Sequence, residues 1–198
     1  MRCFFLSPKI RQLFDKYHGT LTSKLVSQVG VKRASLDYLV RIGEITKDYP
    51  GVYVLKGDFP DEYFWRSSIY KGVFSHETAL FLYGYTNTTP STFDMTFKKG
   101  YHTSNLDKYF ITAHYTNKWN LGLSTRQIYT GNIVDIYNRE RTICDIFKWN
   151  YPIDIWIRNE ALQNYLKDPQ KDLVRLNSYR KVLKVSDKLT ELIGVLSQ

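Results

Sequence analysis

Apolar positions near the start of the chain recur every three or four residues and then, abruptly, every second residue. Ser7-Pro8 reads as an N-cap followed by proline at the first helical position. Ile10, Leu13, Phe14 and Tyr17 follow at helical spacing, which predicts a helix over 8–18 stopped at Gly19. Thr22 caps a second predicted helix over 23–29 that buries Leu25, Val26 and Val29. Gly30 suits a left-handed turn, and a third helix is predicted over 32–42 with Leu36, Leu39 and Val40 on one face. Short helix, glycine-containing turn, helix is the pattern of a helix-turn-helix. After Gly43 the period falls to two: Glu44–Lys47 and Val52–Leu55 read as strands around the turn Asp48-Tyr49-Pro50-Gly51. A two-stranded ribbon directly after a helix-turn-helix is a wing, so residues 1–57 are expected to form a winged-helix DNA-binding domain.

Residues 58–198 carry a different rhythm. A connector over 56–61 leads into a predicted helix from Asp61 to Tyr70, and Ser75 caps another that ends at Gly84. Phe93–Phe97, Tyr109–Tyr115, Thr125–Tyr129 and Asn132–Tyr137 are rich in β-branched and aromatic residues and predict a small, mostly antiparallel sheet. Asn138–Phe147 reads as an amphipathic helix, with Glu140, Arg141 and Asp145 as its charged members and Arg141 and Asp145 spaced to pair. Helices over 153–165, 173–182 and 185–196 are expected to cover the sheet. The fold class predicted is α+β: an N-terminal winged helix-turn-helix, then a larger mixed α/β domain with C-terminal helices.

Charge sharpens the first domain's role. Of 28 Lys+Arg and 19 Asp+Glu, residues 1–56 hold ten and four, which puts a net +6 of the chain's +9 at one end. A basic segment attracts polyanions and steers their approach. Lys32 and Arg33 stand at the start of the third helix, the end that docks deepest in this motif. Ala34, Ser35, Asp37, Tyr38 and Arg41 fall away from the apolar face. Arginine there can bond guanine bidentately, Asp37 could accept from cytosine, and Ala34 could meet a thymine methyl. Lys24 and Lys47 suit phosphate contacts, which position without specifying. A purely protein-binding helical domain is the alternative, and it leaves the cationic outer face unexplained. Lys98, Lys99 and Lys118, in polar loops, form a candidate second basic surface, with plain solvated loops as the competing reading.

The composition, 43% hydrophobic and 16% aromatic, excludes intrinsic disorder. No apolar run reaches the roughly 18 residues a membrane helix needs, and Phe4–Leu6 is too short for an export signal. Cys3 and Cys144 make neither a disulfide framework nor, alone, a zinc site; a reducing cytoplasm is expected. Nothing points to a catalytic centre, metal or cofactor. His76-Glu77 fails the H-E-x-x-H pattern because position 80 is leucine. No phosphate-binding glycine loop, nucleophile elbow or clustered carboxylate pair occurs, and Cys144 reads as a packed thiol with no histidine placed beside it.

Several segments together carry a resemblance. The winged-helix start, Gly51-Val52-Tyr53-Val54, Phe74-Ser75-His76-Glu77-Thr78-Ala79-Leu80, Tyr83-Gly84-Tyr85-Thr86, Gly131-Asn132 and Glu140-Arg141-Thr142-Ile143-Cys144-Asp145-Ile146 occur in that order. With them the sequence resembles the AbiEi antitoxins of AbiE abortive-infection (type IV toxin–antitoxin) systems over nearly its full length. The family's usual histidine-glycine-leucine-threonine is here Tyr83-Gly84-Tyr85-Thr86. The resemblance implies a winged helix that binds inverted repeats in its own operon promoter and represses it. It also implies a C-terminal domain that counteracts a nucleotidyltransferase-like toxin without a stable complex, Ser75, His76, Glu77, Glu140, Arg141 and Asp145 being its motif residues. The expected partners are therefore double-stranded DNA and, functionally, the toxin; the protein would be a monomer in solution or a dimer formed on DNA, with no membrane role. Two alternatives differ in class: a nucleic-acid-modifying enzyme using His76, Glu77, Arg141 and Asp145, and a module that captures the toxin directly.

Overall fold

The computed structural model describes residues 6–196; Cys3 lies outside them. The chain divides into two compact units, residues up to Lys71 with Gln127–Val134, and Gly72–Arg126 with Asp135 onward.

In the first unit, helix α1 (Pro8–Lys16) begins where Ser7 Oγ accepts from the Ile10 amide. It is followed by strand β1 (Thr20–Thr22), helix α2 (Ser23–Gln28) capped by Thr22, helix α3 (Arg33–Arg41), and strands β2 (Ile45–Tyr49) and β3 (Val52–Leu55). β3 is the centre of a three-stranded antiparallel sheet ordered β1-β3-β2. The wing is thus stitched to the helices by a strand too short to show a period. Ile10, Leu13 and Phe14 of α1, Val26 of α2, and Leu36 and Leu39 of α3 close one core with Leu21, Ile45 and Tyr53. Each is a predicted inward position or its strand counterpart.

The expected boundary at 57/58 does not coincide with that between the units. Helix α4 (Glu62–Ile69) belongs to the first, because polar bonds as well as packing hold it to β1 and α2. The Asp61 amide donates to Thr20 Oγ1 at 2.9 Å, Thr22 and Ser68 hydroxyls meet at 3.0 Å, and Lys24 Nζ donates to the Ser68 carbonyl at 2.6 Å. Residues from 127–134 add further bonds: buried Asn132 donates to Tyr17 O and to Asp61 Oδ2, which also accepts from the Thr130 hydroxyl.

The second unit is built on a mixed sheet of order β6-β5-β4-β8-β7. Its strands are β4 (Val73–Phe74), β5 (Phe93–Lys98), β6 (Ile111–Thr116), β7 (Leu123–Gln127) and β8 (Ile133–Tyr137), with helix α5 (His76–Tyr83) between β4 and β5. The sheet is less antiparallel than predicted: β4–β5 is antiparallel, but β4–β8 and β5–β6 are parallel. Residues 99–110, including a 3-10 turn at Asp107–Tyr109, supply the long crossover that parallel neighbours require. Helices α6 (Arg139–Ile146), α7 (Ile155–Lys167), α8 (Leu173–Leu183) and α9 (Lys188–Leu196) follow. The expectation that the last three cover the sheet is met differently: Leu162, Tyr165, Leu176 and Leu189 share a core with Leu80 of α5 and Ile143 and Ile146 of α6. Among the described residues no helix is long and apolar enough to cross a membrane.

Candidate functional site

Two surfaces carry the residues singled out in the sequence, one in each unit. In the first unit, Leu36 and Leu39 pin α3 to the core, which leaves Arg33, Ala34, Ser35, Asp37, Tyr38 and Arg41 exposed, as the helical period requires. Lys32 is the N-cap residue and is exposed. A depression of about 600 Å³ runs along this face between Lys9 of α1 and Lys32, Ser35 and Tyr38 of α3. Arg33 and Asp37 approach to 3.9 Å with side chains 65% and 49% exposed, a pairing worth at most about 1 kcal/mol and easily exchanged for another partner. Lys47 is exposed on β2, just before an irregularity between Lys47 and Tyr49. Lys24 is exposed too, but its ammonium already caps the carbonyl end of α4. Lys9 was missed by sequence reasoning, since a lysine in the first turn of α1 carries no signal of its own.

In the second unit the six motif residues separate. Glu140, Arg141 and Asp145 are buried, not a solvated helix face. Arg141 Nε donates to both oxygens of Asp145 at 3.0 Å, its Nη1 donates to the Lys118 and Leu121 carbonyls, and its guanidinium stacks on Tyr137. Lys148 Nζ adds a bond to Asp145 at 2.6 Å. Burial raises the Asp145 carboxyl, but the Arg141 guanidinium and the Lys148 ammonium beside it outweigh that and hold it below the ordinary carboxylate range. Glu140 accepts from the Asp172 amide at 3.0 Å and faces Arg175 at 3.6 Å, which ties α6 to the start of α8. Arg141 and Asp145 are thus packed into the core, with Arg141 Nη2 left without a hydrogen-bond partner among the described residues.

His76 and Glu77 line a cavity of about 620 Å³ that Lys148 also borders, with Ser75 adjoining His76. Ser75 does not cap α5 with its side chain as expected. Its hydroxyl instead lies 2.9 Å from His76 Nδ1 and accepts from Thr96 Oγ1 at 2.8 Å. The His76 ring stacks on His114 with centroids 3.8 Å apart, and His114 Nε2 lies 2.7 Å from Asp94 Oδ1. Burial pushes His76 down to about 3, so its imidazole is neutral. Tyr151 covers the pair and donates to Glu77 Oε1 at 3.0 Å; burial raises both of these groups. Asp94, His114 and Tyr151 were not singled out in the sequence: they come from β5, β6 and the segment before α7, and only the parallel β5–β6 register brings the first two to His76. That same register sets Lys98 against Thr116, so Lys98, Lys99 and Lys118 lie exposed at one end of the β5–β6 pair.

Residues 8–56 match the family described as transcriptional regulator, AbiEi antitoxin. That segment is similar to the regulator domain of the AbiEi antitoxins. The matched AbiEi segment runs from α1 through β3, and it contains every α3 residue on the exposed face as well as Lys24 and Lys47. Beyond it, the whole fold is similar to the crystal structure of the RV2827C protein from Mycobacterium tuberculosis, with a TM-score of 0.56 at 14% identity over 82% of this chain. This chain spans 66% of that protein. No curated protein matches the sequence. The matched segment supports a transcriptional regulator of the AbiEi antitoxin type, and the chain has an α+β fold.

Proposed function

We propose that this regulator is the antitoxin of a type IV toxin–antitoxin pair that acts in abortive infection, a form of phage defence. In this reading α3 enters the major groove at inverted repeats in the promoter of its own operon and represses transcription. Arg33 and Arg41 read bases, Lys32, Ser35 and Tyr38 line the approach, and Lys47 holds phosphate from the wing. One observation carries the reading: within the segment matched to the AbiEi regulators, the helix face turned away from the core is cationic, concave and unobstructed in its own unit. The C-terminal unit acts as a non-enzymatic antagonist of a cytoplasmic nucleotidyltransferase-like toxin, without a stable complex. The protein is a monomer in solution and pairs on the two-fold repeats of the operator.

Gel shifts on the upstream region of its own operon test the first half. The expected result is a preference of at least about 10³-fold over random duplex at physiological salt. Equal affinity for both would end the repressor reading. Gel filtration of the mixed antitoxin and toxin tests the second half: separate elution at micromolar concentration is expected, and stoichiometric co-elution would replace antagonism with direct capture.

A further inference from the structure

We propose that His76, Asp94 and His114 form a binding site for one divalent transition-metal ion of the zinc type, opening onto the cavity of the C-terminal unit. One ligand atom from each residue lies within 4.8 Å of the other two. Two imidazoles and one carboxylate are the donor set that holds zinc with a further position left for water or an incoming ligand. The ligands come from three elements. Asp94 and His114 are side by side because β5 and β6 are parallel, with Asp94 opposite Thr112 and Thr96 opposite His114. His76 enters from the first residue of α5 with a left-handed φ of 49°, a conformation a histidine adopts only where its surroundings hold it.

The groups behind the ligands are arranged for the same purpose. Ser75 Oγ has two lone pairs and can accept from both Thr96 Oγ1 and His76 Nδ1–H. That tautomer leaves His76 Nε2 with a free lone pair, the usual way a ligating histidine is oriented by an outer partner. The Asp94 amide donates to Thr78 Oγ1 at 2.7 Å, fixing the strand at the carboxylate. Two further charges line the cavity, and each is engaged: the Lys148 ammonium by Asp145, and the Glu77 carboxylate by the Tyr151 hydroxyl. The competing arrangement is a plain His114–Asp94 ion pair with His76 stacked beside it. It binds no ion, which is where the two part.

The full chain, stripped with a chelator, is titrated with Zn²⁺ by calorimetry and with Co²⁺ by absorption spectroscopy. One ion per chain is expected, with a Co²⁺ spectrum of intense visible bands from a low-coordinate nitrogen–oxygen site. Asp94→Asn and His114→Gln should each weaken Zn²⁺ binding by more than about 100-fold, and Ser75→Ala by about 10–100-fold. His102→Ala, on an exposed histidine outside the cluster, should leave it unchanged. Absence of saturable binding at millimolar Zn²⁺, a weak aquo-like Co²⁺ spectrum, or binding insensitive to the cluster variants would each overturn the proposal. The wild-type titration and spectrum need no variant, so one that fails to fold leaves the test standing. Promoter binding by α3 is unaffected by any of these outcomes, which keeps the two readings separable.

Discussion

Asp168 collects three donors on one carboxylate. Tyr85 Oη donates at 2.6 Å and Arg139 Nε at 2.8 Å to one oxygen, and the Gln170 amide donates at 2.8 Å to the other. Burial alone would raise this carboxyl, but the donors overcome it and set its pKa below the usual value. A depressed carboxylate stabilises the fold above its unfolded pKa of about 3.9, and that contribution disappears as pH falls through the lower, folded value. Asp168→Asn should therefore cost about 1–3 kcal/mol at pH 7, as expected for bonds to a charged acceptor. The gap from wild type should close as the pH is lowered past 4. Urea denaturation of both proteins at several pH values measures this; a gap that stays constant to pH 3 would show that the charge contributes nothing. Gly122 is the second residue whose identity is dictated by its surroundings. Its φ is 82°, and a Cβ there would stand 2.6 Å from Arg141 Cβ. Gly122→Ala should destabilise by about 1–2 kcal/mol for the backbone and about 1–3 kcal/mol more for the overlap. The melting temperature reports it, and an unchanged value would mean that the buried Arg141 is free to shift.

At the scale of elements, the proposed function divides the work on DNA between α3 and the wing. Arg33→Ala or Arg41→Ala should lose about 1–3 kcal/mol on the cognate operator and little on random duplex, if the guanidinium reads a base. Lys47→Ala should weaken all duplexes alike and lower the salt slope by about 1. Lys24→Ala should do less than Lys47→Ala, because the Lys24 ammonium is partly spent on the Ser68 carbonyl. Gel shifts across a salt series separate the three patterns; a Lys24 effect equal to that of Lys47 would show that the α4 contact yields to phosphate. Most of this machinery was legible in the sequence. The helices of the first unit fall within two residues of prediction, because Ile10, Leu13, Phe14, Leu36 and Leu39 leave only one face to bury. The strands β1 and β4 were invisible, being three and two residues long, too short to display a period of two. The cavity of the second unit was half legible: Ser75-His76-Glu77 stood out as a motif, but Asp94 and His114 reach it through a parallel pairing that no local pattern encodes. Arg141 and Asp145 show the opposite failure, since i,i+4 spacing gives the pair but not whether water or Tyr137 surrounds it.

At the scale of the whole molecule, the first unit, which the proposed function sets on DNA, is not a contiguous stretch of sequence. It takes in 127–134, whose buried Asn132 donates to Tyr17 O at the end of α1 and to Asp61 Oδ2 at the start of α4. Asp61 in turn caps α4 by accepting from the Phe64 amide with its other oxygen. One amide side chain, far along the chain from α3, thus satisfies two acceptors that fix how α1 and α4 end and begin. Removing this donor leaves Asp61 Oδ2 with the Thr130 hydroxyl and Tyr17 O with the Thr20 amide, and the loss of a buried bond to a charged acceptor costs about 1–3 kcal/mol. Asn132→Ala should accordingly raise amide hydrogen exchange in α1, β1 and α4 while leaving the β5–β6 pair at its wild-type rate. It should also weaken operator binding without touching a DNA-facing residue, because the helices that seat α3 open more often. Exchange measured on the full chain decides the matter. Faster exchange spread evenly over both units would mean that Asn132 supports the molecule at large, and no change in α1 would mean that the N-terminal unit stands without its borrowed turn. On the proposed function, the stability of the first unit then depends partly on 127–134, so a change confined to those residues would alter operator binding with α3 intact.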